Sequence, residues 1–132
     1  IEDSKQWRSQ VRNLALGWMK EGLKDRSITR DLKWGVQVPL PDFESKVFYV
    51  WFDAPIGYIS SVKEYCEARG LDYRTFWPAM NDSSTKIFHF MGKDNIPFHT
   101  IFWPGMLFAE KGHSLPWQVV GYAFLNYEGQ KI

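Results

Sequence analysis

Two segments constrain this chain more than any other feature: residues 46–58 (KVFYVWFDAPIGY) and residues 86–104 (KIFHFMGKDNIPFHTIFWP). Each opens with a β-branched and aromatic run suited to a strand, breaks at small or acidic residues, and resumes with apolar residues at helical spacing. Strand, break and helix in succession build a parallel α/β sheet, and ligands of such sheets bind where strands end and helices begin. The breaks, Trp51-Phe52-Asp53-Ala54-Pro55 and Gly92-Lys93-Asp94-Asn95, are therefore the first candidates for chemistry.

The rest of the chain fits around these two units. Asp3 with Gln6 is an N-cap arrangement for an opening helix, and Trp7, Val11, Leu14 and Trp18 make one apolar stripe that ends near Gly22. Arg8, Arg12, Lys20 and Lys24 lie off that stripe, either as a solvated face or as an edge toward RNA. Residues 27–41 (SITRDLKWGVQVPLP) contain two prolines and no period, so an extended connector is expected. Residues 47–52 form a nearly continuous apolar run, as expected for a parallel strand covered on both faces. Pro55 suits a first helical turn, with Ile59, Val62 and Cys66 along one face and an end near Gly70.

Tyr73, Phe76 and Trp77 read as a short helix before the NDSS turn. A second strand is expected over 86–91. Asn95 and Pro97 then start a helix to about Glu110, with Phe98, Ile101, Phe102 and Met106 facing one way, His99 and Trp103 on the adjoining edge, and Lys111-Gly112 as the stop. A third strand follows over 117–122, and a turn over 126–129. The expected class is α/β, part of a doubly wound, Rossmann-type parallel sheet with an N-terminal helix.

Bulk properties narrow the function classes. A length of 132 residues with 45% apolar content supports one core, and 16 basic against 15 acidic side chains leave no broad field for nucleic acid. The single cysteine, Cys66, excludes an internal disulfide and a cysteine-rich zinc site. With no long apolar run or leader peptide, the chain reads as cytosolic. Aromatics make up 17% of residues, with seven Trp, more than a core of this size requires. Trp51, Tyr58, Phe98, His99 and Trp103 would line a pocket for a small, partly apolar ligand with a polar end, thioethers included; the same residues also suit a packed aromatic core. Gly92-Lys93-Asp94 reads either as a nucleotide clamp, with Asp94 accepting ribose hydroxyls, or as an ordinary capped helix start.

The strings VWFDAPIGY, HFMGKDNIPFHTIFWP and NYEGQKI, with ITRDLKWG before them, resemble the second half of the catalytic domain of the methionyl-tRNA synthetase family of class I aminoacyl-tRNA synthetases. Ala54-Pro55 resembles the methionine-type form of the segment, where the related isoleucine, valine and leucine enzymes often carry a serine. The resemblance implies a piece of an enzyme that activates methionine with ATP, accompanied by Mg2+, and transfers it to tRNA(Met). It implies residues 1–28 as the helical end of the connective-peptide insert, 29–45 as a connector, and 46–132 as the second half of the nucleotide-binding fold.

Carried over residue by residue, Trp51, Ala54, Pro55, Tyr58, Phe98, His99 and Trp103 surround methionine, with the Tyr58 hydroxyl and His99 near the sulfur and Phe102 packing behind. Gly92, Lys93 and Asp94 fall at the AMP ribose, Val120 and Gly121 at adenine, and Lys131 begins the KMSKS-like loop. The family's HIGH-type motif, the carboxylate for the methionine amino group and the catalytic KMSKS lysine match nothing in these residues. No catalytic residue is therefore assigned here, and no metal site is expected within the segment. The missing half of the catalytic domain becomes an expected partner. A non-catalytic half-fold serving as a binding or assembly module is the alternative.

Overall fold

The computed structural model describes residues 1–128 and the backbone of Gln130–Lys131. The described chain divides into two compact units, one of Ile1–Leu23 with the residues from Trp77 onward, the other of Lys24–Phe76.

The first unit is built on a parallel pair, β3 (Phe88–Gly92) and β4 (Gln118–Tyr122), joined by a helical crossover. Its register sets His89 opposite Val119, Met91 opposite Gly121, and Gly92 opposite Tyr122. Helix α1 (Ser9–Glu21) lies against β4, and Trp7, Val11, Ile96 and Val119 form the core between them. The expected helix start at Asp3 is displaced: residues before Ser9 form turns instead. That lead-in is pinned to the strand, with Trp7 Nε1 donating to the Trp117 carbonyl at 2.9 Å and Gln118 Nε2 donating to the Gln6 carbonyl at 3.1 Å. Buried Trp7 thus sits before the helix, and Val11 and Ala15 carry its buried face. Gly22 closes the helix at φ 88, a conformation that costs glycine no Cβ clash.

The crossover is not one regular helix. Lys93–Asn95 is a 3-10 turn, Phe98–Phe102 is π-helical, and α4 (Trp103–Glu110) is α-helical. Pro104 has no N–H to give the Thr100 carbonyl, while the Trp103 N–H bonds to the Phe98 carbonyl, five residues back. Thr100 Oγ1 also donates to the Ile96 carbonyl at 2.8 Å, a return bond that bends helices. The segment therefore buries a different face from the expected one. Ile96, His99, Thr100, Trp103 and Leu107 are buried, whereas Phe98, Ile101, Phe102 and Met106 are half-buried. At the helix end Lys111 itself takes the left-handed conformation, φ 65, and its N–H bonds to the Leu107 carbonyl at 2.9 Å. After β4, Asn126 and Tyr127, expected within a turn over 126–129, instead form β5 (Asn126–Tyr127), which pairs antiparallel with β6 (Gln130–Lys131).

In the second unit, the strand expected over 47–52 is corrected. β2 is only Val47–Phe48, antiparallel to β1 (Thr29–Arg30), and a helical turn α2 (Val50–Asp53) replaces the rest. The ladder ends where Tyr49 N bonds to the Ile28 carbonyl, after which Phe52 N bonds to Tyr49 and Ala54 N to Val50. β-branched and aromatic residues favour a pleated surface only when partner strands are present, and beyond Tyr49 the chain satisfies its own backbone. α3 (Ile56–Glu67) follows from Pro55 as expected, burying Ile59 and Cys66, and a 3-10 turn at Tyr73–Thr75 ends the unit.

Candidate functional site

The nucleotide candidates come together at the carboxyl edge of the parallel pair. Gly92 ends β3, Lys93 and Asp94 begin the next turn, and Val120 and Gly121 lie on the neighbouring strand opposite Phe90 and Met91. This is the edge at which α/β sheets hold ligands. Gly92, Lys93 and Asp94 are exposed, so a ligand there would meet them directly; the Lys93 ammonium also lies 4.8 Å from the centre of the Phe124 ring. Gly121 has a packing role as well. A Cβ there would stand 2.5 Å from Ile96 Cδ1 and 3.3 Å from Val11 Cγ2, so its small size admits the core side chains.

Phe98, His99 and Trp103 lie on the crossover of the same unit. Phe98 stacks at a tilt on Phe102, with ring centroids 5.5 Å apart. His99 is 1% exposed and Trp103 4%. His99 Nδ1 lies 2.9 Å from the Asn95 carbonyl, which can only accept, so Nδ1 carries the proton and, in the neutral ring, Nε2 carries a lone pair. Burial holds this imidazole below its ordinary pKa, against the opposing pull of that backbone bond, so it is neutral at pH 7.

Two further rings complete this cluster, and neither was singled out from sequence as a site residue. His89 lies 5.3 Å from His99, ring centre to ring centre, and Trp77 lies 6.2 Å from His89 and 6.1 Å, edge-on, from Trp103. Burial, and then the nearby His99, push the His89 pKa down to about 4. A histidine amid the alternation of FHFM reads as a strand residue; only its inward register at position 89 could have flagged it.

Trp51, Ala54, Pro55 and Tyr58 belong to the second unit, on the helical turn and the start of α3. The spacing of Trp51, Pro55 and Tyr58 is one turn and then almost another, which suits a shared face. Pro55 is buried, Trp51 half-buried, and Tyr58 is 41% exposed. Partial burial raises the Tyr58 phenol above its ordinary pKa, leaving a hydroxyl donor at neutral pH. An open cavity of about 580 Å³ in this unit, bordered by Asp31, Gln37, Glu44 and Lys46, includes none of these residues. The side chain of Lys131, the start of the expected KMSKS-like loop, and all of Ile132 lie outside the described residues.

Among the described residues, no three His, Cys, Asp or Glu side chains are grouped to hold a metal ion, and no helix is long and apolar enough to cross a membrane.

The sequence profile for tRNA synthetases class I (M) matches residues 1–132. The chain belongs to that family. Its relatives include Methionine–tRNA ligase of Methanopyrus kandleri, 49% identical over 99% of this chain, and that of Dehalococcoides mccartyi, 49% identical over all of it. These matches cover 20% and 24% of the relatives, so the chain spans about a fifth to a quarter of their length. Among solved structures, Mycobacterium tuberculosis methionyl-tRNA synthetase in complex with methionyl-adenylate superposes with a TM-score of 0.72 at 33% identity, over 95% of this chain and 23% of that one. The α/β class and its parallel pair are thus those of a class I synthetase catalytic domain.

Proposed function

We propose that this chain is a segment of a methionine–tRNA ligase and supplies part of the site in which methionine reacts with ATP. The observation that carries the reading is the 46–49% identity, over essentially the whole chain, to relatives of that name in three genera. In this reading residues 1–28 end the connective insert, 29–45 connect, and 46–132 form the second half of the nucleotide-binding fold. Methionine, ATP and tRNA(Met) are the partners of the whole protein, together with the other half of its catalytic domain. Mg2+ enters with the ATP phosphates as part of the substrate, and the whole enzyme works in the cytoplasm.

Each residue has a role set by its chemistry. Trp51, Ala54, Pro55, Phe98 and Trp103 supply apolar wall to the methionine side chain, and aromatic rings attract thioether sulfur by about 0.3–1.5 kcal/mol per contact. Tyr58 and His99 supply the polar discrimination. A thioether accepts weakly, and a neutral His99 with its proton on Nδ1 has no donor at Nε2. The hydrogen bond to sulfur therefore comes from the Tyr58 hydroxyl, while the dipole of His99 sets the local polarity. Asp94 accepts the ribose hydroxyls, Gly92 lets the backbone approach the nucleotide, Lys93 lends positive charge, and Val120-Gly121 offer backbone groups to adenine. Chemistry at the α-phosphate belongs to groups supplied by the rest of the enzyme, as charge stabilisation and alignment of the methionine carboxylate.

The test is tryptophan fluorescence of the full-length protein that carries this chain. Methionine should change it, because Trp51 and Trp103 border the ligand, and leucine at equal concentration should change it far less. An aliphatic pocket separates one methylene by only about 1–3 kcal/mol, so greater selectivity requires the polar pair. Selectivity that survives intact in a Tyr58→Phe, His99→Ala double variant would contradict these roles.

A further inference from the structure

Behind His99 and Trp103 stands a second layer of rings for which the methionine reading has no use. His89 is the second residue of β3, and Trp77 comes from the loop before that strand. All four rings are nearly inaccessible, from 1% exposed at His99 to 6% at His89. Trp77 is anchored at both ends: its Nε1 donates to the Ser114 carbonyl at 3.1 Å, and the Ser114 N–H donates to the carbonyl of the adjoining Pro78 at 2.9 Å. From that post Trp77 meets Trp103 edge-on and His89 at a tilt of 56°. His89 in turn meets His99 at a tilt of 55°.

The backbone of His89 has no latitude, since β3 pairs with β4 at this position and the opposite residue, Val119, is fully buried. His99 is consequently fixed at two points. Its Nδ1 is tied to the Asn95 carbonyl, and its ring rests on His89. A ring flip would break the first contact, and a swing would open a void beside the second.

We propose that His89 is a positioning residue for amino-acid binding: its flat ring, braced by Trp77, holds the His99 imidazole in the orientation in which it meets the substrate. This rests on the reading that His99 contacts methionine. His89 touches no substrate itself and acts through His99 alone.

The experiment is methionine-dependent ATP–pyrophosphate exchange by the full-length ligase that carries this chain, with methionine and ATP varied separately. His89→Leu keeps the bulk but removes the flat ring, and His89→Phe keeps a ring. Ring contacts of this kind are worth about a three- to tenfold effect, so His89→Leu should raise the methionine KM by about that factor and leave the ATP KM within about twofold. His89→Phe should restore most of the loss. An unchanged methionine KM in His89→Leu, an equal rise in both KM values, or a His89→Phe enzyme as impaired as His89→Leu each overturns the proposal. His99→Ala is the companion arm. If it raises the methionine KM while His89→Leu does not, only the positioning role fails; if it has no effect, the methionine reading of His99 fails as well. Should His89→Leu not fold, Trp77→Phe, which loses the Ser114 anchor, carries the same expectation at about two- to threefold, and an unchanged KM there overturns the proposal.

Discussion

Two buried imidazoles in contact cannot both hold a proton cheaply, and this gives the ring cluster a pH signature. An unfolded histidine binds its proton below about pH 6.5, whereas folded His89 does so only near pH 4. Between those values the unfolded chain binds more protons, so the contribution of His89 is complete above pH 6.5 and is lost as pH falls toward 4. The loss amounts to at most about 3 kcal/mol from His89. Denaturant midpoints of the full-length protein at pH 7, 5.5 and 4.5 should fall with pH, and the fall should be smaller in His89→Phe; equal slopes would remove His89 from the account. At the exposed nucleotide edge, Asp94→Ala should remove charge-assisted bonds worth about 1.5–3 kcal/mol, weakening ATP about 10- to 150-fold while sparing methionine. Calorimetric titration measures both ligands, and unchanged ATP affinity would return Asp94 to a helix-start role. Individual residues were legible from sequence where spacing carried the signal: His99 and Trp103 do sit one turn apart on a shared face, and both are buried. His89 and Trp77 were not, because what recruits them is contact between rings far apart in sequence.

At the scale of elements, the two strands of the parallel pair follow the sequence pattern within two residues at each end. Residues 47–52 do not. Their apolar run is compatible with a covered strand, but a strand requires a ladder on which to form, and here the ladder stops at Tyr49. The π-helical stretch was equally invisible, since it depends on which carbonyl lacks a donor at Pro104 rather than on apolar period. The seam between α1 and β4 gives the sharpest test of packing. Gly121→Ala would force a methyl into Ile96, and overpacking of this kind costs about 1–3 kcal/mol. The full-length variant should melt several degrees lower, with Ile96→Val restoring part of the loss. A Gly121→Ala protein as stable as the parent would show that the seam relaxes freely.

The whole molecule leaves apolar surface uncovered. Phe88, Phe90 and Tyr122 are 44%, 66% and 49% exposed on a two-stranded parallel sheet, an arrangement that in α/β proteins is covered on both faces. Such a face and its open strand edge favour association, so the isolated 132-residue chain should aggregate or remain partly ordered until it is given the rest of the fold. The central claim is that this chain carries substrate walls whose chemistry is completed elsewhere in a methionine–tRNA ligase. Methionine-dependent ATP–pyrophosphate exchange tests it most directly when measured for the isolated chain, for the remainder of the full-length protein, and for their mixture. The account predicts no exchange by either piece alone and exchange by the mixture that is lost with Asp94→Ala; robust exchange by the isolated chain would contradict it.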